Sequence, residues 1–419
     1  MKVVHLSQTD EGAGAGRAAR RIHQSLCAMG IDSTMLVGSK RSMDPTIMTK
    51  KPFHFDFWNK LNAFGEAKLA RHYMKEAAQY FSPALCGSFN PSSHSAVQEA
   101  DIVALYWING GFIKPSFLRQ LDKPIVWRLS DTWPFTGGCH YPSACKGFTQ
   151  ECGNCPQIKQ PAPTDISFRL LEKKQSLWHD LNITIAAPSH WIASLARESR
   201  LFRNRRIEVI PTGVDVHTFY PRGKAALRAQ RGIPQEEKIV LFTSIAPDAD
   251  ERKGFKELLS ALDILHRSPE NMAVTPLVVG NVSEAAKRLL PPNTIYAGYI
   301  ADDTVLAETY CMADAVIIPS LEDNLPNVAL ESAACGLPLI AFNVGGLPDI
   351  VIHRHNGFLA AQLSGEMLAN GVRWVLQQES QGLPFNEHSR CLAVEKFSLE
   401  AQANHYISLY QSLYDCERK

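Results

Sequence analysis

No apolar run in this 419-residue chain approaches the ~20 residues that a membrane-spanning helix needs, so no helical span is expected. The opening stretch MKVVHLSQTDEG turns polar after one short strand. A secretory leader is therefore not expected, and a cytoplasmic location is the default reading. An excess of one charge sign is also missing. The formal net charge is +1, which gives no argument for nucleic acid as a partner. There is no internal repeat and no low-complexity tract, so a solenoid or a disordered chain is set aside. Cysteine is not scarce. Ten cysteines in a chain without an export signal should be reduced thiols or metal ligands.

What the chain has is a repeated alternation. It is long enough for two domains of about 200 residues each. Short β-branched runs read as buried parallel strands: Val3–Leu6, Thr34–Val37, Ile102–Tyr106, Ile125–Leu129, Ile183–Ala187 and Ile207–Ile210. Between the first two, Ala15, Ala18, Ala19, Ile22, Leu26 and Met29 share one helical face, and Gly30 stops the helix. PTGVDVHTFYPRG, after Ile210, lacks a period and reads as a linker. The pattern then restarts with strands Ile239–Thr243, Thr275–Val279, Ala315–Ile318 and Leu339–Ala341. Helices are expected at Phe255–Leu265, Asp303–Met312 and Val328–Cys335. A last helix, about Leu399–Tyr414, should follow without another strand. The reading is two doubly wound α/β units in series, with ligands at the carboxyl ends of the strands, in a cleft between the domains.

Gly12, Gly14 and Gly16 lie between the first strand and the first helix. The spacing is G-x-G-x-G and not the dinucleotide G-x-G-x-x-G, and the run from the strand is too long for a tight turn. An anion site at the helix N-terminus remains open, as does a purely conformational role.

The richer signal is AVIIPSLEDNLPNVALESAACGLPLIAFNVGG, residues 315–346. A buried strand ends at Pro319. A polar loop with Asp323, Asn324 and Asn327 follows, then a helix from near Val328 with Glu331 in its first turn. Two carboxylates at the carboxyl ends of neighbouring strands suit the vicinal hydroxyls of a ribose or hexose. The competing reading of Glu331 is a solvated glutamate favouring the helix dipole. In DADERKGFKELLSAL, Arg252 and Lys253 precede Gly254 where a helix begins. A Lys and an Arg beside a helix N-terminus can clamp a diphosphate; the alternative is an ordinary basic turn. The triplet Asp248-Ala249-Asp250 is read as a surface loop and not as a metal site, and no catalytic metal is expected.

Cys139, Cys145, Cys152 and Cys155 cluster with the spacing C-x5-C-x6-C-x2-C. Four thiolates there can close a tetrahedral structural zinc site. Free thiols or disulfides are the alternative, the latter disfavoured in a reducing compartment. Residues 50–81 mix aromatics with Lys, Arg and His. They read as an insertion helix packed on its own domain, with an amphipathic helix facing a membrane surface or the acceptor as the sharper alternative.

The order of these elements resembles the retaining family-4 glycosyltransferases of the GT-B fold. The likeness runs through RIEVIPTGVD, RKGF, GYIADDTVLAETYCMADAVIIPS, EDNLPNVALESAACGLPLIAFNVGGLPDIV and KFSLE…YISLY. It implies two Rossmann-like domains facing a deep cleft. Residues 1–212 would be the acceptor side, with 398–419 packing back on it, and 213–397 would bind the donor. The family's acid, seven residues, then Glu is matched by Asp323 and Glu331. The resemblance implies that Glu331 holds the ribose hydroxyls and that Asp323 touches the transferred sugar. The amides around Asn324 and Leu325 would support sugar and phosphate, and Lys253 with Arg252 would neutralise the diphosphate. Gly14 and Gly16 would lie near the donor phosphates or the acceptor. The first acid is usually Glu in the family, so Asp323 is a departure. PIVWRLSDTWPFTGGCHYPSAC is similar to the exopolysaccharide and lipopolysaccharide-type branch. Many relatives have His-Asp there; this chain has Ser130-Asp131, which shifts that work to Asp131, a backbone group or the substrate.

The expected activity is retaining transfer of a sugar from a nucleoside diphosphate sugar to a hydroxyl of a saccharide or lipid-linked saccharide. Lys253, Asp323 and Asp131 would carry the chemistry, with the leaving phosphate receiving the acceptor's proton. A nucleotide-sugar epimerase and a non-catalytic nucleotide-sugar-binding module are the alternatives on the same architecture.

Overall fold

A computed structural model of the chain describes residues 1–12, 14–49, 54–75, 81–244, 248–267 and 274–418. It divides into two compact units: Met1–Pro211 with Gln402–Lys419, and Thr212–Ala401.

The first unit is built on strands β1 (Lys2–Thr9), β2 (Asp32–Ser39), β3 (Ile47–Thr49), β4 (Ile102–Leu105), β5 (Ile125–Arg128), β6 (Ile183–Ala187) and β7 (Ile207–Val209). They form one sheet, order β3-β2-β1-β4-β5-β6-β7, with every pairing parallel. β4, β5 and β6 are buried along their whole length. That is why IVAL, IVWR and ITIAA are mostly apolar without alternation, with only Arg128 and Thr184 polar among them. The helix Gly14–Ala28 buries Ala18, Ala19, Ile22 and Leu26, the face its period predicts. Tyr406, Leu409, Tyr410 and Leu413 of the C-terminal helix pack with Val3, Ile102, Ala104 and Val126. The Gln402 amide donates to the Pro211 carbonyl at 2.6 Å.

The second unit holds β8 (Lys238–Thr243), β9 (Val274–Val279), β10 (Ile295–Gly298), β11 (Ala315–Ile318), β12 (Leu339–Phe342) and β13 (Gly357–Ala360). Their order is β10-β9-β8-β11-β12-β13, again all parallel. The strand order switches between β1 and β4 in one sheet and between β8 and β11 in the other. Open α/β sheets bind ligands beyond the carboxyl ends of such pairs. Two Rossmann-like α/β units are thus present, as expected.

One expectation is corrected. The last helix does not follow Leu339–Ala341 directly: β13 intervenes, then helices Gly365–Ser380 and Phe385–Phe397. β13 is only GFLA, with weak strand propensity. It is readable only through packing, since a Cβ on Gly357 would lie 2.0 Å from the Leu339 carbonyl oxygen. Within the 50–81 segment, His54–Tyr73 is helical, while 50–53 and 76–80 lie outside the described residues. On that helix Leu61, Phe64, Lys68 and Arg71 are exposed, and Glu66 and Ala70 are buried. Among the described residues no helix is long and apolar enough to cross a membrane.

Candidate functional site

In the second unit, the loops after β8, β11 and β12 bring most of the predicted residues together. Lys253 Nζ donates to Asp323 Oδ2 at 2.6 Å. Two glycines make this pairing possible. Gly254 has φ +66°, and a Cβ there would lie 1.8 Å from the Pro319 carbonyl oxygen. Only glycine lets the basic turn press onto the loop after β11. The Leu321 amide then donates to the Arg252 carbonyl at 2.7 Å. Gly345 has φ +55°, and its Cβ would sit 1.9 Å from the Asp323 carbonyl oxygen. The Gly346 amide donates to that same oxygen at 3.0 Å. The loop after β12 therefore braces the backbone of Asp323 from behind.

Arg252 stands next to Lys253 but pairs with Asp250, Nη2 to Oδ2 at 2.8 Å. The other Asp250 oxygen accepts from the Arg252 amide at 3.1 Å. Its carboxylate is committed to its own turn, in keeping with a surface loop. Asn324 and Leu325 are buried, and Asn327 opens the helix Asn327–Ala334, so Glu331 lies beyond the first turn in which it was expected.

Glu331 is 3% exposed, which rules out the solvated-glutamate reading. The Tyr310 hydroxyl donates to its Oε2 at 3.5 Å. Burial, and next the Glu331 charge, hold the Tyr310 phenol well above its ordinary pKa. It therefore stays a hydrogen-bond donor. A buried carboxylate at the mouth of a parallel sheet is expensive, and such groups cluster where ligands bind.

In the first unit, Asp131 follows β5. Its Oδ1 accepts from the Trp133 amide at 2.9 Å, and its Oδ2 from His140 Nδ1 at 2.6 Å. His140 Nε2 lies 2.8 Å from Ser82 Oγ. The His140 ring bridges the Asp131 carboxylate and the Ser82 hydroxyl through its two nitrogens. The imidazole absent at position 130 thus reaches Asp131 from the cysteine loop. Sequence reasoning missed His140 and Ser82 because neither lies beside Asp131 in the chain. The readable hint was a histidine directly after Cys139. Gly14 is exposed at its helix start. Gly16 is buried, and a Cβ there would lie 2.5 Å from Thr9 Oγ1, which accounts for that glycine by packing.

Cys139, Cys145, Cys152 and Cys155 are free thiols. Burial, and to a smaller degree the neighbouring cysteines, push Cys139 above its usual range and Cys152 to about 11. Among the described residues no group of three or more His, Cys, Asp or Glu is gathered closely enough to hold a metal ion. The loop is anchored by Lys174, whose ammonium donates to the Thr136 carbonyl at 2.9 Å and lies 3.8 Å above the Trp133 ring. Burial lowers its pKa to about 7.

Residues 223–390 match the family model described as "Glycosyl transferases group 1". The chain is similar to the D-inositol 3-phosphate glycosyltransferase of Segniliparus rotundus, 32% identical over 229 residues, 50% of this chain and 47% of that protein. The aligned part thus spans about half the length of that relative. WcaC of Escherichia coli, named "Putative colanic acid biosynthesis glycosyl transferase", is 22% identical over 428 residues, 96% of this chain and 97% of that protein. Among solved structures, sucrose-phosphate synthase from Thermosynechococcus elongatus aligns with TM-score 0.68 at 20% identity, covering 99% of this chain and 100% of that one. Anabaena HepE in complex with UDP aligns with TM-score 0.65 at 16% identity, covering 98% and 100%. The structural likenesses give the GT-B fold, and the family match lies within the second unit.

Proposed function

We propose that this chain is a retaining glycosyltransferase of cell-surface polysaccharide assembly. It moves a sugar from a nucleoside diphosphate sugar to a hydroxyl of a saccharide or lipid-linked saccharide. The observation that supports this reading is the Lys253–Asp323 pair beyond the carboxyl ends of β8 and β11, with Glu331 buried on the helix that follows β11. The family match over 223–390 and the UDP bound by HepE support it.

Glu331 takes the ribose hydroxyls, and Asp323, with the amides near Asn324 and Leu325, takes the sugar and its phosphate. As the glycosidic bond breaks, negative charge gathers on the leaving diphosphate. Lys253, with Arg252 beside it, stabilises that charge, usually the largest contribution in such sites. The acceptor oxygen bonds the anomeric carbon on the face from which the diphosphate leaves, its proton passing to the leaving phosphate, so the anomeric configuration is preserved. Asp131 serves the acceptor side, its orientation fixed by His140.

The test is transfer of a labelled sugar from UDP-, GDP- and ADP-sugars into a saccharide and lipid extract, with the product's anomeric configuration read by NMR. Product with inverted configuration contradicts retention, and no incorporation from any donor contradicts the activity.

The four-cysteine spacing suits a structural zinc by residue type, but among the described residues Cys139, Cys145, Cys152 and Cys155 are not gathered closely enough to hold one, so no zinc enters this reading. Exposed Leu61 and Phe64 beside Lys68 and Arg71 support peripheral contact with an anionic membrane face. Liposome flotation unchanged by neutralising Lys68 and Arg71 rejects that contact.

A further inference from the structure

A second set of polar groups gathers at the switch point of the first sheet, and the chemistry placed on Lys253, Asp323 and Glu331 does not use it. Asn109 follows β4 and is 2% exposed. Among the described residues neither its amide nitrogen nor its amide oxygen has a partner. Gln8, on the adjoining β1, donates through Nε2 to the Gly110 carbonyl at 3.2 Å, while its Oε1 is likewise buried and unpartnered among those residues. This is not a frayed loop. Glu66 accepts from the Cys86 amide at 3.2 Å and also from the Gly111 amide, pinning the loop from outside. Ile108, Phe112 and Ile113 anchor it in the core.

Unpaired amides in a well-held site are costly, and folded proteins rarely keep them without a use. Their surroundings suggest the use. Trp107, two residues before Asn109, is partly exposed, and its ring lies 6.1 Å from that of His140. His140, oriented by Asp131, holds the Ser82 hydroxyl. Among the described residues none of the hydrogen bonds or ring contacts of Trp107, Asn109, Gln8 and Ser82 involves a Lys or Arg, so the set offers an indole face, two amides and a hydroxyl. A phosphate would call for cations or a run of donors. A mixture of donors and acceptors beside an aromatic face matches an uncharged ring rich in hydroxyls.

We propose that Trp107, Asn109, Gln8 and Ser82 form a binding subsite for an uncharged hexose ring, with His140 and Asp131 as positioning residues behind Ser82. Given the glycosyltransferase reading, on which this rests, that ring is the acceptor saccharide.

The test uses the full chain and ligand-observed saturation-transfer NMR in two separate arms. One arm contains methyl α-glucoside, α-galactoside, α-mannoside and α-glucuronide. The other contains UDP, GDP and ADP. At least one uncharged hexoside should bind the wild-type chain. Asn109→Leu and Trp107→Ala should each weaken it at least about fivefold, with nucleotide binding unchanged. Glu331→Ala should do the reverse. Because Asn109→Leu removes an unpaired buried amide, its melting temperature should fall by no more than about 2 °C.

Absence of any hexoside signal, or retention of it in both first-unit variants, overturns the subsite. So does a larger fall in melting temperature for Asn109→Leu, which would mark the amide as structural, or nucleotide binding that falls with Asn109. If no nucleoside diphosphate binds the wild-type chain, the glycosyltransferase reading itself fails, and that result appears in its own arm.

Discussion

Lys253 and Asp323 lie 70 positions apart in the chain, yet their side chains meet at 2.6 Å beyond the carboxyl ends of β8 and β11. The pair is held by two close backbone approaches, Gly254 on Pro319 and Gly345 on Asp323. A cation with its charge partly answered by a carboxylate remains soluble in the resting site. A diphosphate can then compete for it. Lys253→Ala should lower transfer by about a hundredfold to a thousandfold through the turnover rate, since the charge it faces develops as the bond breaks. A change confined to KM would mean that Lys253 only binds the ground state.

Glu331 should act through its charge. Glu331→Gln keeps the volume and the contact with Tyr310 but weakens acceptance of two hydroxyls. Nucleotide affinity should fall by about tenfold to a hundredfold. Titration calorimetry with the nucleoside diphosphate checks this, and an unchanged dissociation constant would remove Glu331 from the site.

Gly345→Ala should damage both stability and binding. The left-handed backbone alone costs about 1–3 kcal/mol, and the new Cβ must push the Asp323 carbonyl away. Urea unfolding and nucleotide binding should both report the loss. A variant that is stable and binds normally would show that the loop after β12 does not brace Asp323.

Glu66 supplies a pH test. Burial raises its pKa from 4.5 to about 7, against the opposing hydrogen bonds from backbone amides. Its folded-state pKa lies above the unfolded one, so the folded chain holds a proton that the unfolded chain releases. Stability therefore falls as pH rises from about 4.5 to about 7 and levels off above. The loss is on the order of 3 kcal/mol. Glu66→Gln, compared with the wild type by urea unfolding, should gain relative stability between pH 5 and pH 8. A flat difference would mean that Glu66 ionises normally.

Periodicity was a good guide wherever one element carries its own signal. The buried strands Ile183–Ala187 and Ala315–Ile318 are short runs of β-branched residues and alanine, and the structure has both as strands. The short edge strands β3, β10 and β13 were not legible, because three or four residues carry too little pattern against turns and neighbouring helices. Glu331 was ambiguous, since a residue near a helix start can be solvated or buried, and only packing by Tyr310 decides. His140 was invisible for a different reason. Its partnership with Asp131 and Ser82 depends on where the cysteine loop folds back, which spacing does not encode. Asn109 was passed over too, because an unpaired amide is recognisable only once its surroundings are known.

The most direct measurement is thermal unfolding of the wild-type chain, Lys253→Ala and Glu331→Ala in the presence of UDP-, GDP- and ADP-sugars. A bound donor stabilises the folded state by mass action. One nucleotide class should raise the wild-type melting temperature by several degrees, with most of that rise lost in both variants. No shift with any donor, or an equal shift in all three proteins, would contradict a donor site at Lys253, Asp323 and Glu331.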